Sequence, residues 1–170
     1  MSKINRFSIT MLLLAATAYG AAAQASTTAT ATATILTAIS ISKTADMSFG
    51  YISVLASSGG TVILTPAGSR STTGGVSLPA TTGTVTAASF TVNGEGSYTY
   101  SITLPSTSHS IASGENSMTV TAFTSTPSGT GTLTAGSQTL TVGATLNVAA
   151  AQPNGTYLSA AGFNVTVNYN

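Results

Sequence analysis

Apolar and polar positions alternate with a period of two along most of this chain. Tyr98-Thr99-Tyr100-Ser101-Ile102-Thr103-Leu104 does so without a break, and Leu140, Val142, Ala144, Leu146 and Val148 carry the pattern further. Val62 with Leu64, Phe90 with Val92, and Met118 with Val120 repeat it in shorter pieces. Successive side chains of an extended backbone point to opposite faces, so this period predicts strands with one face buried and one wet. Threonine occupies many wet positions, where it favours the strand without adding charge. Turn signals separate the runs: Ser57-Ser58-Gly59-Gly60, Gly74-Gly75, Asn93-Gly94-Glu95-Gly96, Ser113-Gly114-Glu115-Asn116, Pro127-Ser128-Gly129 and Pro153-Asn154-Gly155. Glycine and asparagine supply the positive φ angles of tight reversals. Short strands at this spacing predict an all-β fold, an antiparallel sandwich or barrel.

Two segments stand apart. Ser26 to Thr34 is an Ala/Thr alternation that runs into Ile35, Ile39 and Ile41 before Met47-Ser48-Phe49-Gly50-Tyr51-Ile52 opens the domain proper. Such a ladder has strand geometry but little side-chain bulk, so it reads either as a flexible leader or as a strand that finds its partner elsewhere. The other is Phe163-Asn164-Val165-Thr166-Val167-Asn168-Tyr169-Asn170, in which every second residue is apolar.

Residues 1–25 read as a cleaved secretory signal. Lys3 and Arg6 give a positive start, Ile9 to Ala18 a short apolar run, and Ala21-Ala22-Ala23-Gln24-Ala25 the small residues of a cleavage site. Cleavage after Ala25 is expected, with Ala23 the alternative, and an uncleaved anchor is the competing reading. The expected plan is a signal over 1–25, an extension over 26–41, and one β-domain over 42–170. Export through a periplasm to the cell surface or beyond follows from the signal.

Charge then changes the picture. The chain has 170 residues, 42% of them hydrophobic and only 4% charged. Beyond residue 25, Lys43 and Arg70 face Asp46, Glu95 and Glu115, a net charge of −1. No basic patch is available for nucleic acid, and no membrane span is expected in the mature chain. Hydrophobicity this high with so little net charge is unlike a disordered chain. The sequence has no cysteine, so the core and the strand ladders must hold the fold, and thiolate chemistry is excluded.

Candidate chemistry is sparse. His109 lies between Ser108 and Ser110, yet no G-x-S-x-G elbow accompanies it, and a surface-loop histidine is the plainer reading than a hydrolase triad. Glu95 and Glu115 sit in glycine-containing turns as solvated loop residues. Neither a carboxylate pair for glycoside hydrolysis nor an oxygen-rich calcium loop is evident. No catalytic, metal or cofactor site is expected, and so no enzyme. Most of the aromatics fall on the apolar phase of strands, which favours core over a sugar-binding face. A small outer-membrane barrel would need aromatic girdles and longer lipid-facing strands.

Phe49-Gly50, Ala88-Ser89-Phe90-Thr91-Val92-Asn93-Gly94, and Gly155-Thr156-Tyr157 before the final alternation together resemble the bacterial exported family of domain of unknown function 4402. That family looks like the subunits of chaperone–usher fimbriae and the spore-coat-U-type pilins. The resemblance implies an immunoglobulin-like sandwich lacking one strand, completed first by a periplasmic chaperone, with an outer-membrane usher, and then by the extension of another copy or a related subunit. It implies a groove strand of Phe163, Val165, Val167 and Tyr169, with the carboxylate of Asn170 beside it. The donor strand would fall within Ala29 to Ile41, with Ala31, Ala33, Ile35, Ile39 and Ile41 as its inward residues, unless Ile39 and Ile41 belong to the chain's own first strand. The expected function is a structural, adhesive subunit of a surface polymer. The alternative is a monomeric secreted binding or matrix protein.

Overall fold

A computed structural model describes residues 23–170. The expected signal lies outside the described residues from 1 to 22. Residues 23–39 carry no strand, and residues 23–34 are exposed.

Every regular element among the described residues is a β-strand. In chain order they begin with β1 (Ser40–Ala45), β2 (Ser48–Phe49), β3 (Ser53–Val54), β4 (Gly60–Leu64) and β5 (Arg70–Gly74). Next come β6 (Val76–Ser77), β7 (Val85–Thr86), β8 (Ala88–Asn93), β9 (Thr99–Thr103) and β10 (His109–Ser113). The series closes with β11 (Asn116–Thr126), β12 (Thr130–Thr132), β13 (Ser137–Val148) and β14 (Thr166–Tyr169).

All pairings are antiparallel. A seven-stranded sheet follows the order β1-β8-β13-β11-β10, with β4 and β5 attached through β13. A three-stranded sheet, β12-β9-β14, faces it. The arrangement is sandwich-like, with the larger sheet curled into a half-barrel.

The curl has a local cause in β13. Its first half, Ser137–Val142, pairs with β8, and its second, Ala144–Val148, pairs with β4. Both partners therefore lie end to end along one edge of the same strand. Gly143 marks the changeover, where a Cβ would collide with the carbonyl oxygen of Leu64. Along the other edge runs β11, whose pairing jumps between Thr121 and Thr124. This bulge adds one residue and flips the side-chain phase. Val120 points inward before it and Phe123 after it.

The alternation read from the sequence becomes two joined apolar clusters. Val92, Leu140 and Val142 of the large sheet meet Tyr100 and Val167 of the small one, with Leu133 just past the end of β12. Val62, Val76, Val120, Ala144, Leu146 and Val148 form the second cluster, and Met47 and Phe123 touch both. Tyr100 has no exposed surface. Its hydroxyl donates to Gln138 Oε1 at 2.8 Å, which also accepts the Thr132 N–H at 2.9 Å. Burial raises the phenol pKa above its ordinary value.

On the wet face of β13, Asn147 Nδ2 donates to Thr119 O and to Thr121 Oγ1. Polar residues thus lace neighbouring strands from outside while the apolar ones pack within. Phe49, Phe90, Phe123 and Phe163 all pack against the core. Tyr51 and Tyr98 are exceptions to the aromatic expectation, at 61% and 44% exposed.

Candidate functional site

The final alternation forms β14, although only Thr166–Tyr169 is paired. Val167 is buried, and Phe163, Val165 and Tyr169 pack half-buried against the same cluster. The strand is bonded to β9 alone, Thr166 opposite Thr103 and Tyr169 opposite Tyr100. Asn170 continues this edge by donating to Thr99, from its N–H at 3.3 Å and its amide at 3.0 Å. The opposite edge of β14 faces β1 without a backbone hydrogen bond between them. A bare edge beside an inward apolar row is a template for strand pairing.

Near the start of the final alternation, a cleft of about 1190 Å³ runs between the segment Met47–Val54 and the inner face of the large sheet. Phe90, Val120, Leu146 and Val148 form its floor, and Phe163 reaches it from the start of the final alternation. The covering segment is held by the two-residue pairings of β2 with β7 and β3 with β6. Arg70 reinforces it, its guanidinium donating to the carbonyls of Phe49 and, at 3.0 Å, of Tyr51.

The residues expected to form a donor strand divide. Ile41 lies in β1 opposite Val92, and Ile39 packs on the same cluster, so both serve the chain's own core. Ile35 is 96% exposed. Ala31 and Ala33 are exposed and outside any strand.

Sequence reasoning missed a group at the end of β14. The Tyr169 hydroxyl donates to the Thr37 carbonyl at 2.7 Å and accepts the Glu95 N–H at 2.5 Å. Glu95 Oε2 accepts from the Thr37 N–H at 3.1 Å and from the Thr37 hydroxyl at 2.9 Å. Gly94 makes room, since a Cβ there would collide with the Tyr169 hydroxyl, and Tyr98 meets the ring edge-on with centroids 6.0 Å apart. The Gly94-Glu95-Gly96 turn was the only sequence signal. Thr37 gave none.

The bonds from the Thr37 backbone and then its hydroxyl hold the Glu95 carboxyl below its ordinary value. Such a group holds its contacts above the unfolded carboxylate range and loses them as pH falls through its lowered pKa. In an acid titration followed by NMR, the Thr37 amide is expected to shift with a midpoint below the ordinary glutamate value. A midpoint at or above the ordinary glutamate value would contradict the geometry.

His109 is the first residue of β10 rather than a loop residue. Its Nε2 lies 3.0 Å from Ser159 Oγ, and its ring packs edge-on against Phe163. None of its hydrogen bonds among the described residues is to a carboxylate, so the orienting partner of a triad is missing. Tyr157 donates to the Pro153 carbonyl and accepts from Gln152 Nε2, each at 2.8 Å, closing its own loop. Among the described residues no three metal-ligating side chains cluster, and no helix is long and apolar enough to cross a membrane.

The family model of a domain of unknown function, DUF4402, matches residues 39–169. The chain belongs to the DUF4402 family. The match begins one residue before β1 and runs to the end of β14, so it spans both sheets. Comparisons with curated proteins and with solved structures give no significant match.

Proposed function

We propose that this DUF4402 chain is an exported structural subunit of a fimbria or similar surface polymer, joined copy to copy by strand addition. The open edge of β14 carries this reading. On an immunoglobulin-like reading, β1-β8-β13-β11 would correspond to A-B-E-D and β9-β14 to C-F, with β12 an addition beside β9. On that correspondence β14 takes the place of strand F, and its bare edge is where strand G would pair. A guest strand there would gain main-chain bonds along β14 and send alternate side chains toward the cleft.

The guest would come from the segment before β1 in another copy. Its apolar content is modest, because Ile39 and Ile41 are already used at home. Burial of Ile35 would contribute about 1.5–3 kcal/mol, and Ala31 and Ala33 much less. Main-chain pairing would therefore dominate, and an unpaired strand edge of this kind fits a subunit escorted by a chaperone before assembly at an usher.

The test is electrophoresis of the exported protein in detergent without boiling. A ladder of oligomers that collapses to monomer on heating is expected. A chain that stays monomeric at all concentrations would favour a self-contained binding or matrix protein instead.

A further inference from the structure

The root of the amino-terminal segment meets the far end of β14, and this bears on which copy's edge the segment can reach. Ser40 pairs with Asn93, and Tyr169 pairs with Tyr100 just beyond the turn that follows Asn93. The start of β1 and the end of β14 therefore lie at one end of the domain, and the two strands run in opposite directions. For the segment to lie along its own β14, the chain would have to reverse within residues 35–39. Thr37 sits at the middle of that stretch.

Each polar atom of Thr37 is engaged. Its N–H and its hydroxyl donate to Glu95 Oε2, and its carbonyl accepts from Tyr169. The Glu95 N–H closes the ring onto the same tyrosine hydroxyl. Reversal would turn the peptide groups of Thr37 and break the bonds that hold them. Glu95 lies 58 residues from Thr37 and Tyr169 lies 132 from it, so the ring joins the entry of the chain to the end of the edge strand.

We propose that the Thr37–Glu95–Tyr169 ring is a guard against self-insertion: it holds the root of the segment so that β14 stays open to a strand from another copy. This rests on the reading of β14 as an acceptor edge. Tyr169 acts in it as a positioning residue, linking the acceptor strand of a copy to the root of that copy's own donor.

The experiment uses the full chain with Thr34→Cys, on the opposite phase of the alternation from Ile35, carrying a nitroxide, a unique label because the sequence has no cysteine, and the oligomer ratio is read on the unlabelled chain. Tyr169→Phe and Glu95→Gln are expected to raise label mobility and to raise the monomer-to-oligomer ratio at fixed concentration about fivefold, the equivalent of one hydrogen bond. Thr37→Val, which removes only the exposed hydroxyl, gives a milder variant of the same change should either of the others fold poorly. Unchanged mobility in all the variants would overturn the guard. So would greater mobility with an unchanged ratio in a chain that polymerises. A parent chain that never forms oligomers would instead overturn the acceptor-edge reading, and the guard with it.

Discussion

A chain lacking residues 26–36 is expected to fold normally and to form no polymer at all. Ile35 is 96% exposed and residues 26–34 are exposed throughout, so their removal takes little from the core. Exposed residues away from special contacts change stability by about 0.5 kcal/mol or less. The core begins at Ile39, which remains. Loss of the donor would nevertheless abolish assembly, because nothing would be left to pair with β14 of the next copy. Size-exclusion with a thermal melt reads both quantities. A collapse in melting temperature would mean that the segment completes its own domain, and wild-type oligomers from the truncated chain would remove it from the assembly reaction.

Tyr100→Ala is expected to cost the fold about 3–5 kcal/mol, the range for deleting a large buried aromatic. Tyr100 is wholly buried among Val92, Leu140, Leu133 and Val167 and lies between β12 and β14, its partners on either side. A Cβ at Gly131 would strike its ring, so the neighbouring strand is already cut to its shape. Tyr100→Phe keeps the ring and loses only the bond to Gln138, whose oxygen keeps the Thr132 N–H. About 1 kcal/mol is expected there. Because burial raises the folded-state phenol pKa, the protonated ring contributes stability that is full below the unfolded tyrosine pKa and fades as pH climbs toward the folded value. Urea unfolding of both variants, repeated at alkaline pH, checks the pair: the phenylalanine variant should lose the Tyr100 part of the alkaline decline. Equal costs for Ala and Phe would mean that the ring is not the keystone between the sheets.

The strands with the cleanest alternation were legible because burial is one-sided there. Leu140 to Val148 became β13, and Tyr98 to Leu104 contains β9. The turn at Gly114 and Glu115 was legible too, since a two-residue reversal between Ser113 and Asn116 calls for a positive φ, which Gly114 supplies. Other features depend on partners that no local window contains. Gly143 looked like one small residue in a regular run, yet it divides β13 between two neighbours. The bulge near Phe123 shifts the period by one, so counting alternate residues through it gives the wrong face. The serines on either side of His109 suggest a loop, although its pairing with Val120 draws it into an edge strand. At the candidate site, spacing shows the alternation of Phe163, Val165, Val167 and Tyr169, while their inward placement was what the family resemblance implied. The ring through Thr37 could be read from neither, because its members are distant in sequence and chemically ordinary.

Charge scarcity has a practical consequence for proteolysis. A protease that cuts after lysine or arginine finds only Lys43 and Arg70 between residues 23 and 170. Lys43 lies in β1 opposite Phe90, and Arg70 lies in β5 opposite Leu64, with its guanidinium tied to the carbonyls of Phe49 and Tyr51. Proteases prefer exposed loop tips and termini, and neither target sits in one. To such an enzyme the folded domain presents hydroxyl-rich loops without a cleavable residue and two cleavable residues without a loop.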